Sequence, residues 1–152
     1  HRIREGVVLH RRSFQRYWWL LRMSSVFSLI LQRKIPGHFV FEDENVFAIM
    51  TINPIAKGHV LVIPTQEVDE WTNVDESTRQ KLFTSAHRIA EAQKQIFPCE
   101  RVALIIAGFE VPHCHLHLIP ATSMQDVSFS NAAASVDHDE LAKFAEQISQ
   151  QL

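Results

Sequence analysis

The stretch VPHCHLHLIP, Val111–Pro120, sets three histidines at alternate positions, His113, His115 and His117. Cys114, Leu116 and Leu118 fill the gaps. In an extended chain successive side chains point to opposite faces, so the pattern predicts a strand with one apolar face and one imidazole face. The apolar face packs on a core. The histidine face must be wet or partnered group by group, because an imidazole buried without hydrogen bonds is costly. Three neighbouring imidazoles cannot all be charged comfortably, which keeps some neutral near pH 7, the form that serves as nucleophile or ligand. Histidine is a poor residue for a pleated surface whose only task is packing.

Upstream, RVALIIAG (Arg101–Gly108) is nearly continuous apolar sequence and predicts a strand buried on both faces. Asp75–Phe97 carries a helical period: Leu82, Ala86, Ile89, Gln93 and Ile96 share a face, joined by Phe83, Ala90 and Phe97. His87 lies beside that face, four residues before Glu91, as a solvated helix residue. HFVFED, NVFAIMTI and HVLVIP, between His38 and Pro64, are three strand patterns joined by the acidic turn Glu42–Asn45 and by NPIAKG. SSVFSLILQRKIPG (Ser24–Gly37) reads as a short helix with a serine cap and a Pro-Gly stop. Ser128–Val136 is a weakly patterned loop, and Asp137–Leu152 a closing helix with Asp137 and Glu140 at capping-box spacing. Short turns between the early strands favour antiparallel pairing and an α+β fold.

The 152 residues fit one domain, and 46% hydrophobic with 21% charged residues excludes general disorder. Residues 1–22 hold six arginines and one acid, Glu5, while the net charge of the whole chain is −2. A mildly acidic body behind a basic leader is not the pattern of a nucleic-acid binder. Cys99 and Cys114 make no disulfide framework and read as free thiols of a reducing, cytoplasmic compartment. No apolar run approaches the roughly 18 residues that would span a bilayer, so no membrane partner is expected. Residues 1–22 are expected to be a basic extension, either upstream sequence before Met23 or a membrane-surface helix, with 23–152 the single domain.

Two chemistries suit the alternate histidines. Two imidazoles at i, i+2 can share a zinc ion, but the nearest acid, Glu110, falls on the opposite face if the strand extends that far back. The other chemistry is nucleophilic attack on phosphorus: one neutral imidazole attacks, its second nitrogen held by a hydrogen bond, and its neighbours donate to phosphate oxygens. That reaction needs several histidines around one centre and no metal.

HCHLHLI follows the alternation of the histidine-triad (HIT) family, and SVFSLILQRKIPGHFVFEDENVFAIMTINPIAKGHVLVIP resembles the family's amino-terminal half, including its Gly-His turn at Gly58–His59. The resemblance spans about residues 24–122 and is to the branch of histidine-triad nucleotide-binding (HINT-like) proteins, of actinobacterial type. It implies a HIT-like α+β fold, with a five-stranded antiparallel sheet, a short N-terminal helix, one long helix and a C-terminal helix. It also implies a homodimer that extends the sheet. The chemistry implied is hydrolysis or transfer at the α-phosphate of nucleotide conjugates through a nucleotidyl-histidine, with no cofactor. By position, His115 would be the nucleophile, His113 and His117 would orient it and contact the phosphate, and His59 would complete the cluster. The nucleotide slot would fall on Phe27, Ile35, Ile49, Met50, Thr51, Ile52 and Glu110.

Departures from the pattern are also legible. Ser25 and Ser28 stand where many relatives carry a Cys-x-x-Cys zinc pair, and Glu67 aligns with the histidine that often joins it. The expectation is therefore no structural zinc. Thr51 replaces a ribose-binding aspartate, and AGFEVPH puts Phe109 and Glu110 near the places of polar phosphate contacts. The function expected is that of a metal-independent hydrolase of purine nucleoside phosphoramidates, with AMP- or GMP-type nucleotides as ligands. The alternatives are a dinucleoside polyphosphate hydrolase and a non-catalytic nucleotide-sensing module.

Overall fold

In the computed structural model, which describes residues 24–152, the chain runs helix, three strands, helix, two strands, helix. The expectations for residues 1–22 lie outside the described residues. The first helix, α1 (Val26–Leu31), starts where Ser25 is extended and its hydroxyl accepts the Ser28 amide at 3.0 Å. It stops before the Pro-Gly pair, because Arg33 turns to φ 61° and breaks the helical path. The Arg33 guanidinium bonds both oxygens of Glu42, at 2.8 and 3.1 Å, and lies 3.8 Å over the Phe39 ring. Helix α1 is thereby tied to the first strand.

The strands are β1 (Phe39–Glu42), β2 (Val46–Met50), β3 (Val60–Pro64), β4 (Arg101–Ile105) and β5 (Leu116–Ala121). They form one antiparallel sheet in the order β1-β2-β3-β5-β4. Asp43 shapes the first hairpin by accepting the amides of Asn45 and Val46, both at 2.8 Å. Helix α2 (Glu76–Ile96) is capped by Asp75, and α3 (His138–Ser149) by Asp137, which accepts the Asp139 and Glu140 amides. The Glu140 carboxylate pairs with Lys57 at 3.4 Å, so the anticipated capping box gives way to a tertiary contact.

Alternation divides the core in two. Val46, Ala48, Met50, Val60, Val62, Leu116 and Leu118 face α2 and α3, while Phe47, Ile49, Leu61 and Ile63 face α1 through Phe27 and Ile30. Buried on both faces, β2 and β3 form the rigid floor on which the site is built. Gln93, read as part of the apolar helix face, is fully buried and donates through Nε2 to the carbonyls of Gly58 (2.7 Å) and Leu118 (3.1 Å). It clamps the turn before β3 to the strand that carries the histidines.

Two strand readings are corrected. β4 is an edge strand, only half-buried, because among the described residues one of its sides has no strand neighbour; Leu104 is 42% exposed. β5 begins at Leu116, so His113 and His115 precede the ladder. Their alternation survives even so, with Cys114 packed beside Leu116 and Leu118 in the main core and the histidines on the other side.

Candidate active site

The register places His117 opposite Leu61, and His59 lies two residues before Leu61 on the same face. Diagonal neighbours on a sheet are within reach of one another, and His59 Nε2 meets His117 Nδ1 at 2.9 Å. Proton positions follow from the partners. The Ile55 amide donates to His59 Nδ1 at 3.1 Å, so the His59 proton sits on Nε2 and is donated to His117 Nδ1. That leaves His117 with its own proton on Nε2. His115 donates from Nδ1 to the His113 carbonyl at 2.7 Å, which leaves an unshared pair on His115 Nε2. The rings of His115 and His117 stand 4.8 Å apart. The site thus presents one nucleophilic nitrogen beside one N–H donor.

Both rings line a cavity of about 360 Å³. Its apolar lining includes Phe27, Ile30, Ile35, Ile49, Met50 and Ile52, and its polar lining includes Thr51, His59 and Glu110. Phe27 meets the His115 ring edge-on, with centroids 4.9 Å apart, which fixes the ring plane against the slot. Thr51 Oγ1 accepts the Asn53 amide at 3.1 Å, leaving its O–H as a single donor. Burial holds all four imidazoles below their ordinary value. His59 falls to about 3 and His117 to about 4, lowered further by neighbouring imidazoles. For His115, burial outweighs the His113 carbonyl and the Glu110 carboxylate, which both pull upward. The cluster is neutral at pH 7.

His113 departs from the role its position implies. It is fully buried and is not among the cavity-lining residues. Its Nε2–H donates to the Pro64 carbonyl at 2.8 Å, and its Nδ1 accepts from the Ser25 hydroxyl at 2.6 Å. With both nitrogens engaged it cannot contact a phosphate. It serves as the wedge whose carbonyl holds His115. The cavity also includes residues that the sequence reading passed over: Val26, Asn53, Leu61, Val111, Phe129 and Ala132. Phe129 packs edge-on against His117 at 4.8 Å, and its loop is pinned by Asn53 Nδ2–H to the Ala133 carbonyl and by the Ala133 amide to the Pro54 carbonyl.

Ser25, Ser28, Glu67 and His113 converge, as a zinc site at those positions would require, but as a hydrogen-bond network. Glu67 Oε1 accepts the Ser25 amide (2.6 Å) and the Ser28 hydroxyl (2.8 Å). The direct 2.6 Å contact between Ser25 Oγ and His113 Nδ1 leaves no room for an ion between them. Two neutral hydroxyls also replace the soft donors that zinc favours. These residues do not fit the metal. Among the described residues no group of three or more His, Cys, Asp or Glu side chains is arranged to hold one.

A neutral imidazole with an unshared pair, beside an apolar slot on a five-stranded antiparallel sheet, is the arrangement expected of a histidine-triad protein. Residues 32–124 match the HIT domain family, and the chain belongs to it. Among relatives, a HIT-like protein of Methanocaldococcus jannaschii is 30% identical over 123 residues, covering 78% of this chain and 95% of its own length. A bis(5′-adenosyl)-triphosphatase of Dictyostelium discoideum is 30% identical over 107 residues, covering 67% of this chain and 63% of its own length. A HIT-like protein involved in cell-cycle regulation from Bartonella henselae superposes with a TM-score of 0.74 at 26% identity, over 85% of this chain and 96% of that one. A zinc-bound histidine-triad protein from Mycobacterium smegmatis gives 0.70 at 26% identity, over 85% and 93%.

Proposed function

We propose that this HIT-family chain hydrolyses purine nucleoside 5′-phosphoramidate-type conjugates through a nucleotidyl-histidine on His115. The observation that carries the reading is the free electron pair of His115 Nε2 beside the free N–H of His117, both rings lining a largely apolar slot. The slot takes the base, with Thr51 near the sugar. The α-phosphoryl meets His115 Nε2. A bond forms from that nitrogen to phosphorus as the bond to the leaving nitrogen breaks; the amine departs with the electron pair and a proton from solvent. His117 Nε2–H donates to a non-bridging oxygen, and the His113 carbonyl supports the charge that appears on the His115 ring. Water then attacks phosphorus and releases His115. The experiment is incubation with a fluorogenic adenosine phosphoramidate, with and without a chelator. Chelator-resistant turnover is expected; binding of AMP without turnover would make the chain a nucleotide-sensing module, and chelator-sensitive turnover would overturn the metal-free reading.

The second reading, a dinucleoside polyphosphate hydrolase, draws on the name of the Dictyostelium relative. We place the chain in the HINT-like, actinobacterial-type branch on the motifs of its amino-terminal half, and in the cytoplasm on its two free thiols. No helix among the described residues is long and apolar enough to cross a membrane. The half-exposed apolar edge β4 supports a homodimer in which two copies pair β4 across a two-fold axis, since an open edge of this kind invites pairing. Leu104→Asp is expected to give monomeric or insoluble protein in sedimentation analysis. A native protein that sediments as a monomer would contradict the dimer.

A further inference from the structure

The charge of the cavity bears on which leaving group it accepts. Among the described residues that line it there is no lysine or arginine, and the only acidic side chain is Glu110. The two lining histidines whose free atoms face the ligand are neutral at pH 7. Glu110 lies in the loop between β4 and His113, close enough for its charge to act on the His115 ring. A conjugate whose leaving group is a polyphosphate chain brings further negative charges past the α-phosphorus, and no lysine or arginine among the described lining residues neutralises them. An amine leaving group meets the opposite situation. As the phosphorus–nitrogen bond breaks, the electron pair stays on nitrogen, which takes a proton from solvent and leaves as a neutral amine, while an ammonium elsewhere on the same leaving group can pair with the Glu110 carboxylate. Attraction between that ammonium and the exposed Glu110 carboxylate favours such a conjugate over a neutral or anionic one, to the extent that a charge pair near a surface allows.

From this geometry we propose that Glu110 is a specificity-determining residue that selects conjugates with cationic amine leaving groups and disfavours polyphosphate ones. The inference rests on the hydrolase reading above and narrows it. Glu110 does not attack or protonate; it acts on the leaving group through its charge.

The test compares kcat/KM for three adenosine conjugates: a phosphoramidate of a diamine with a free ammonium at its far end, an isosteric phosphoramidate of a neutral amine, and diadenosine tetraphosphate. Wild type is expected to favour the diamine conjugate over its neutral isostere by at least about tenfold, the size of effect a charge pair near a surface supports, and to turn over the tetraphosphate most slowly. Glu110→Gln keeps the size of the side chain and is expected to level the first two substrates. Glu110→Lys is expected to invert their order and raise tetraphosphate turnover. A wild-type preference that survives Glu110→Gln, or a tetraphosphate hydrolysed as fast as the phosphoramidates, overturns the inference while leaving the hydrolase reading intact. If wild type and both variants turn over none of the three, the hydrolase reading fails and this inference falls with it. Circular dichroism of both variants establishes that folding is not the variable.

Discussion

Replacement of His115 by alanine is expected to lower turnover at least about a thousandfold while AMP still binds. Groups that act as one catalytic unit fail together, so removing the attacking atom forfeits nearly the whole acceleration of the step. His115→Ala deletes the Nε2 pair and the ring that Phe27 holds edge-on. It leaves the slot walls at Ile30, Ile35, Ile49 and Ile52, which hold no reacting atom. Affinity and rate therefore separate. Calorimetric titration with AMP should find a dissociation constant within a few-fold of wild type, while the fluorogenic assay finds almost no turnover. His117 and His59 would remain paired through Nε2–H and Nδ1, so the loss cannot be assigned to collapse of the imidazole cluster. Robust turnover in the alanine variant would remove His115 from the nucleophile's role.

The largest effect on stability is expected at Gly58. Its φ is +86°, a left-handed conformation that a side chain disfavours by about 1–2 kcal/mol. A Cβ there would also lie 2.5 Å from two atoms of the Phe97 ring and 2.7 Å from a third. Phe97 is itself buried in the main core and packs edge-on against Phe144 at 5.0 Å, so the ring has little room to retreat. Overpacking of this kind costs a further 1–3 kcal/mol or so. Gly58→Ala is thus expected to destabilise the protein by about 2–5 kcal/mol, read as a lower urea midpoint with an unchanged slope. The turn carries the carbonyl that Gln93 clamps and leads directly into His59, so turnover should fall along with stability. An unchanged midpoint would mean that the turn readily adopts another conformation.

Much of the fold could be read from short-range pattern. Strands β2 and β3 are β-branched and aromatic runs bounded by turn residues, and α2 carries a continuous helical period with an aspartate cap. The alternation of His113, His115 and His117 against Cys114, Leu116 and Leu118 held even though only part of it lies within the β5 ladder, because burial of the apolar set governs it. What could not be read depends on contacts distant in sequence. Whether an apolar strand is central or at an edge is a property of its neighbours, so RVALIIAG looked buried while β4 lies at the margin of the sheet. Phe129 and Ala132 reach the cavity because Asn53 and Pro54 pin their loop from across the fold, and a run of serines and alanines carries no periodicity to announce that. The engagement of His113 likewise depends on Ser25 and Pro64, 88 and 49 residues away along the chain. Alignment with family positions brought Ser25, Ser28 and Glu67 into consideration as a lost metal site; only the geometry turned them into a hydrogen-bonded support for the wedge.

During turnover His115 Nε2 is expected to become covalently bonded to the α-phosphorus. The most direct measurement is to mix enzyme and adenosine phosphoramidate for milliseconds, quench in alkaline denaturant where a phosphorus–nitrogen bond on imidazole persists, and map the modified peptide by mass. One adenylyl group is predicted on the peptide that contains His115, absent in His115→Ala and released by mild acid. A single-turnover time course with full product formation and no adenylylated His115 peptide at any time point, or an adenylyl group on another residue, would exclude His115 as the nucleophile.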